Sequence, residues 1–167
     1  PRHALAELLA DRYHAEHVLL LGSGTQALSA AIGNAGDDDA PVALPGFTCF
    51  DVATAAVGAN RPILLYDIDP DTLGPDWPSL EAALDRGART VVIAYLYGVP
   101  VDWTRVEQLA GRYEAAIVED AAQGIGASWR GQPLGTLAPI SVLSFGRGKG
   151  WTAGRGGALL TRGREPG

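Results

Sequence analysis

The stretch His17-Val-Leu-Leu-Leu-Gly-Ser-Gly-Thr-Gln-Ala-Leu28 decides the fold. A short apolar run bounded by glycine reads as a buried strand. Gly22-Ser-Gly-Thr25 turns that strand into a helix expected over 25–34. Outward from this unit the same alternation recurs. Upstream, Leu5, Leu8, Leu9 and Tyr13 share one helical face over 2–14. Downstream, strands are expected at 42–44, 62–66, 90–96, 115–118, 140–145 and 157–161. Helices fall between them at 50–59, 78–85 and 102–114, the last with Asp102 as N-cap. Residues 128–134 read as a hairpin around Arg130-Gly131, and Asp37-Asp-Asp39 as a solvated loop. Strands alternating with helices imply an α/β fold, a three-layer α/β/α arrangement around a mostly parallel central sheet.

Composition bounds the function. The 167 residues suffice for one domain with a substantial core, and 47% hydrophobic content excludes a disordered chain. A net charge of -6 argues against a nucleic-acid partner. The apolar runs are far too short to span a membrane. No signal-peptide pattern opens the chain, and a single cysteine, Cys49, fits a reducing, cytoplasmic setting. The sequence contains no methionine, so it is expected to be part of a longer chain. His3, His14 and His17 lack metal-ligand spacing, and no metal is expected.

In open α/β sheets ligands bind beyond the carboxyl ends of the strands. Three clusters fall at such ends. Gly22-Ser-Gly-Thr25 can seat an anion on the N–H groups of a helix start, or be a tight turn with no ligand. It also matches the loose dinucleotide pattern, but the second strand ends Ala43-Leu44-Pro45-Gly46 without the acid that would hold a ribose. Glu119-Asp120 follows a buried strand, as a helix cap or as a buried acid. Ser144-Phe-Gly-Arg-Gly-Lys149 is not a Walker loop, because Leu143 and Gly150 stand where that motif needs glycine and a hydroxyl. Lys149 is the only lysine among 13 lysines and arginines. Arginine replaces lysine well in ion pairs but not as an amine nucleophile. An anion seat, a buried acid and a lysine with a nearby hydroxyl are the parts of a pyridoxal phosphate site. Arg147 and Arg155 flank the lysine and would meet a phosphate, a substrate carboxylate or solvent. Trp151 is the one tryptophan near this cluster.

Across nearly its whole length the chain resembles the large domain of the DegT/DnrJ/EryC1/StrS sugar aminotransferases. The strings that carry the likeness are Gly22-Ser-Gly-Thr-Gln-Ala-Leu28, Pro45-Gly-Phe-Thr48, Leu96-Tyr-Gly98, Val118-Glu-Asp-Ala-Ala-Gln-Gly-Ile-Gly126, Gly131-Gln-Pro-Leu-Gly-Thr136, Ser144-Phe-x-x-x-Lys149 and Gly156-Gly-Ala-Leu159. The resemblance implies pyridoxal 5'-phosphate held covalently by Lys149, with Asp120 on the pyridine nitrogen. It places the phosphate on Gly24, Thr25 and Ser144, and Gln123 near the ring and its phenolic oxygen. The family stacks an aromatic on the cofactor directly after the threonine, where this chain has Cys49, so Phe50 is the expected substitute. Lysine rather than histidine at position 149 favours amino transfer over dehydration. The implied reaction moves an amino group from an amino acid, expected to be glutamate, to a nucleotide-linked keto sugar, in a homodimer. Residues 1–167 would be an incomplete large domain lacking its small domain. The rival readings are a lyase or desulfurase on the same fold, and a truncated remnant that binds without turnover.

Overall fold

In the computed structural model, which describes residues 1–36 and 39–163, every expected strand and helix forms. The helices are α1 (Arg2–Tyr13), α2 (Gly24–Gly33), α3 (Phe50–Gly58), α4 (Trp77–Asp85) and α5 (Trp103–Tyr113). The strands are β1 (His17–Leu21), β2 (Val42–Pro45), β3 (Ile63–Tyr66), β4 (Thr90–Ala94), β5 (Ala116–Asp120), β6 (Ser128–Trp129), β7 (Gln132–Pro133), β8 (Ile140–Ser144) and β9 (Gly157–Thr161). Of the expected loop at Asp37-Asp-Asp39, residues 37 and 38 lie outside the described residues.

Seven strands form one sheet in the order β1-β9-β8-β5-β4-β2-β3, and β6-β7 make the small hairpin. β8, β5, β4, β2 and β3 run parallel, while β9 is antiparallel to both β8 and β1. The central strands are continuous apolar runs because both faces of a parallel sheet are covered. Successive strand residues face opposite sides, and the core divides accordingly. Val42, Leu44, Val92, Val118, Val142 and Leu159 pack beneath α2 and α3. Val91, Ile93, Leu143, Ala158 and Leu160 pack on the other face with Leu9, Leu80, Leu84, Val106 and Leu109 of α1, α4 and α5. Burying each such side chain contributes about 1.5–3 kcal/mol.

Two local details differ from the sequence reading. β4 ends at Ala94 rather than continuing to 96, because Leu96–Gly98 form a 3-10 turn with Tyr97 in the left-handed region (φ 55°). Asp102 occupies the N-cap position of α5, but its carboxylate makes no capping hydrogen bond. The carboxylates that do cap lie elsewhere, as in α4, where Asp76 accepts from the Ser79 N–H at 2.9 Å.

Candidate active site

The carboxyl ends of β5 and β8, the start of α2 and the start of α3 enclose a cavity of about 340 Å³. Its wall contains Gly24, Thr25, Asp120, Gln123, Ser144 and Lys149, together with Thr48, Cys49, Asp51, Arg147 and Arg155. Thus all but one of the residues singled out for the cofactor converge on one space, from segments more than 100 residues apart in sequence.

The α2 end of the cavity is built by capping. Ser23 is the N-cap, and its hydroxyl accepts from the Gln26 N–H at 3.1 Å. The Gln26 side chain reaches back to accept from the Gly22 N–H at 3.0 Å. This is a variant of the capping box, in which a Ser and a Gln three residues apart satisfy each other's segment. It leaves the Gly24 and Thr25 N–H groups at the positive end of α2 free to bind an anion. A Cβ at Gly24 would lie 2.7 Å from Ser144 Cβ and 2.8 Å from Ser144 Oγ. Glycine is therefore what allows the helix start to approach the end of β8, and the two segments together form a cradle for an oxyanion. The pairing of Ser23 with Gly156 pins the same turn against the start of β9.

Asp120 ends β5 on the α2/α3 face and is 8% exposed. One carboxylate oxygen accepts from the Ala122 N–H at 3.0 Å. Burial pushes its pKa up, partly offset by that hydrogen bond and by the Lys149 charge. The carboxyl is therefore unfavourable as a lone anion and strongly favours a cationic or proton-bearing partner in the cavity. Lys149 is held on a tight turn by its own N–H, which donates to the Gly146 carbonyl at 3.2 Å.

Gln123 is oriented by the left-handed turn at Tyr97. The Tyr97 N–H donates to the Gln123 side-chain oxygen at 3.1 Å. An N–H can only be matched by the carbonyl of an amide, so the Gln123 NH2 group remains for a ligand.

Glu119 is neither a helix cap nor a cavity acid. Neighbouring Asp120 on β5, it projects to the opposite face and is fully buried. It accepts from the hydroxyls of Tyr95 and Ser141 and from the N–H groups of Gly135, Leu137 and Ala138. Tyr95 in turn accepts from the Trp103 indole N–H at 2.7 Å. Arg162 donates to Ser141 Oγ and to the carbonyls of Tyr13, Gly135 and Ala138, closing the network.

One expectation is corrected. Phe50 is 82% exposed and does not line the cavity. It is the first residue of α3, and with Asp51 and Val52 turned toward the cavity, the helical rotation carries Phe50 to another bearing. Trp151 does not face the site either: it packs edge-on against Tyr13 with ring centroids 6.1 Å apart, and Arg12 lies over its ring at 4.8 Å. Asp51 and Thr48 were missed by the sequence reading, as was the Ser23-x-x-Gln26 cap, whose spacing was itself legible. Among the described residues no cluster of His, Cys, Asp and Glu could hold a metal ion.

Comparison with known proteins places the chain in one family. The model of the DegT/DnrJ/EryC1/StrS aminotransferase family matches residues 2–165. The chain is 36% identical over 160 residues to an L-glutamine:2-deoxy-scyllo-inosose aminotransferase of Streptomyces kanamyceticus, covering 93% of this chain and 37% of that protein. It superposes on AtS13 of Actinomadura melliaura with a TM-score of 0.87 and 31% identity, covering 96% of this chain and 45% of the other. NtdA of Bacillus subtilis, solved with bound cofactor PMP, gives a TM-score of 0.87 at 27% identity over 97% of this chain and 37% of that one. The chain thus spans little over a third of the length of the curated relatives it matches.

Proposed function

The chain belongs to the DegT/DnrJ/EryC1/StrS aminotransferase family, which depends on pyridoxal phosphate, and from that premise we propose that it is the cofactor-binding large domain of an enzyme that transfers an amino group from an amino acid to the ketone of a cyclic polyol. One observation carries the reading: the chain's lone lysine, a buried carboxylate and a helix start with free N–H groups share one cavity. Pyridoxal phosphate, when bound, supplies an aldehyde for amine capture and a ring that accepts the electron pair released at the substrate carbon.

The residues fit that group. The Gly24–Ser144 cradle, with the N–H groups of Gly24 and Thr25 and the Ser144 hydroxyl, suits its phosphate. Asp120, disfavoured as an isolated anion, suits a protonated ring nitrogen, and that ion pair would offset the cost of burying its charge. The NH2 group of Gln123 would donate to the cofactor's phenolic oxygen. Lys149 would hold the cofactor through its amine, and that amine, when free, would move the proton at the substrate carbon. A lyase or desulfurase would share these residues, and the names of the curated relatives favour amino transfer.

Those names also sharpen the substrates. They describe transfer from L-glutamine to 2-deoxy-scyllo-inosose, which supports L-glutamine as donor and a carbocyclic keto-polyol as acceptor, in place of glutamate and a nucleotide-linked keto sugar. A homodimer in the cytoplasm completes the proposal. Its support is the apolar exposure beside the cavity, at Phe47, Phe50 and Tyr97, together with the lone cysteine. No helix among the described residues is long and apolar enough to cross a membrane.

The test is visible absorbance of the purified chain with pyridoxal phosphate, before and after borohydride. The expected result is a visible band, absent from Lys149→Ala, that borohydride fixes covalently at Lys149; in the unreduced chain L-glutamine should convert the band and the keto-polyol should then be aminated. A folded chain that forms no such band overturns the cofactor reading. Loading without amino transfer supports the binding remnant instead.

A further inference from the structure

Between β8 and β9 the chain leaves the sheet and returns beside itself. The Phe145 N–H donates to the Gly156 carbonyl and the Ala153 N–H to the Phe145 carbonyl, both at 2.9 Å. Gly146 and Gly154 form a parallel bridge. The bridge is isolated, and the residues that follow its two partners are Arg147, which enters a turn, and Arg155. Both line the cavity, and both are exposed at its rim, whereas Ser144 at the anion cradle is buried. Neither makes a salt bridge among the described residues, where the ion pairs are His3–Glu7 and Arg112–Glu81. The other charged groups of the wall are Lys149, Asp120 and Asp51. With Lys149 and Asp120 engaged by the cofactor, the rim keeps two guanidinium groups against one carboxylate. On a chain of net charge -6, that is a local entrance for anions set in an otherwise repelling field.

We propose that Arg147 and Arg155 form a paired subsite for the α-carboxylate of the amino donor. This rests on the cofactor reading above. The donor must bring its amine to the Lys149 position, and its carboxylate is attached to the same carbon as that amine. Arg147 and Lys149 lie on one turn, closed by the Lys149 N–H to Gly146 carbonyl bond, so one turn serves both groups of an α-amino acid. Guanidinium forks match a carboxylate with paired hydrogen bonds that an ammonium cannot reproduce. The cofactor's phosphate has its own donors at the start of α2, deeper in the cavity.

The probes are L-glutamine and 4-aminobutanamide, the same molecule without its α-carboxylate. Binding of each is measured by titration calorimetry on the cofactor-loaded, borohydride-reduced chain, in which no turnover occurs. Pyridoxal phosphate affinity is measured separately by absorbance before reduction. The parent should prefer L-glutamine. Arg147→Ala and Arg155→Ala should each weaken L-glutamine by about tenfold, the value of one charge-assisted hydrogen bond. Both should leave 4-aminobutanamide and cofactor affinity within about twofold, well inside that tenfold step. A preference that survives in both variants overturns the subsite, as does a loaded parent that binds the two probes equally or binds neither. Variants that lose cofactor affinity instead assign the arginines to the cofactor's phosphate. Competition by diphosphate in the parent alone, with L-glutamine binding unchanged in the variants, assigns them to a phosphorylated acceptor. A parent that takes up no cofactor sinks the underlying reading and the subsite with it.

Discussion

Asp120 and Glu119 are adjacent, both acidic and both buried, yet strand geometry gives them opposite work. Glu119 satisfies five donors with its two oxygens, so its charge is compensated within the protein. Replacing it by alanine leaves those five donors without their acceptor and removes the buried charge that favours the Arg162 cation. We expect Glu119→Ala to cost on the order of 3–5 kcal/mol, read as a lower midpoint in urea unfolding, with Glu119→Gln costing less because it keeps one acceptor oxygen. Asp120 has a single hydrogen bond and faces the cavity, so its charge awaits a ligand. Its folded-state pKa is raised by burial. A carboxyl with a raised folded pKa contributes stability that is full below the unfolded value and is lost as pH rises through the folded value. The cofactor-free chain should therefore lose stability as pH rises above the ordinary carboxylate range. Asp120→Asn should flatten that slope and raise the neutral-pH Tm while weakening cofactor binding. A Tm series against pH for both chains checks this, and an unchanged slope in Asp120→Asn would show that Asp120 is not its source.

At the scale of elements, the site depends on close approach. A Cβ at Gly24 meets the Ser144 side chain, whereas a Cβ at Gly157 would lie 2.5 Å from the Ser23 carbonyl oxygen and 2.7 Å from the Gly24 nitrogen. A side chain can rotate or shift and backbone cannot, so the two substitutions should fail differently. Gly24→Ala should fold and lose at least about tenfold in pyridoxal phosphate affinity, the equivalent of one charge-assisted hydrogen bond. Gly157→Ala should lower the Tm itself, because β9 is held between β1 and β8 on both edges. Circular dichroism melts beside absorbance titrations separate the two outcomes. These contrasts also mark how far the sequence could be read. Apolar runs alternating with helical stretches disclosed the strands and helices, because local pattern and sheet burial agree there. The ends were less legible: Tyr97 adopts a left-handed turn that no tyrosine advertises, and it is this turn that orients Gln123. The opposed roles of Glu119 and Asp120 depend on strand register, which the string Glu-Asp does not contain. Phe50 looked like a stacking aromatic by adjacency alone, but the rotation of α3 decides where it points.

For the whole molecule the central fact is that the cavity couples segments distant in sequence. The start of α2, the end of β5 and the loop between β8 and β9 contribute to one wall, so a ligand seated there bridges both halves of the chain. A ligand that binds only the folded state stabilises it by about 2.7 kcal/mol at a hundred times its dissociation constant and about 4.1 at a thousand times. For a domain of this size each kcal/mol is worth roughly 2–4 °C in Tm. Pyridoxal phosphate should therefore raise the Tm by about 5–15 °C over that range, rising with the logarithm of its concentration. The shift should be smaller in Lys149→Ala, which keeps the phosphate cradle but loses the covalent link, and smaller again in Gly24→Ala/Lys149→Ala, which loses both. Equal shifts in all three proteins would mean that the cofactor binds elsewhere, and would separate this cavity from the chemistry that its residues otherwise support.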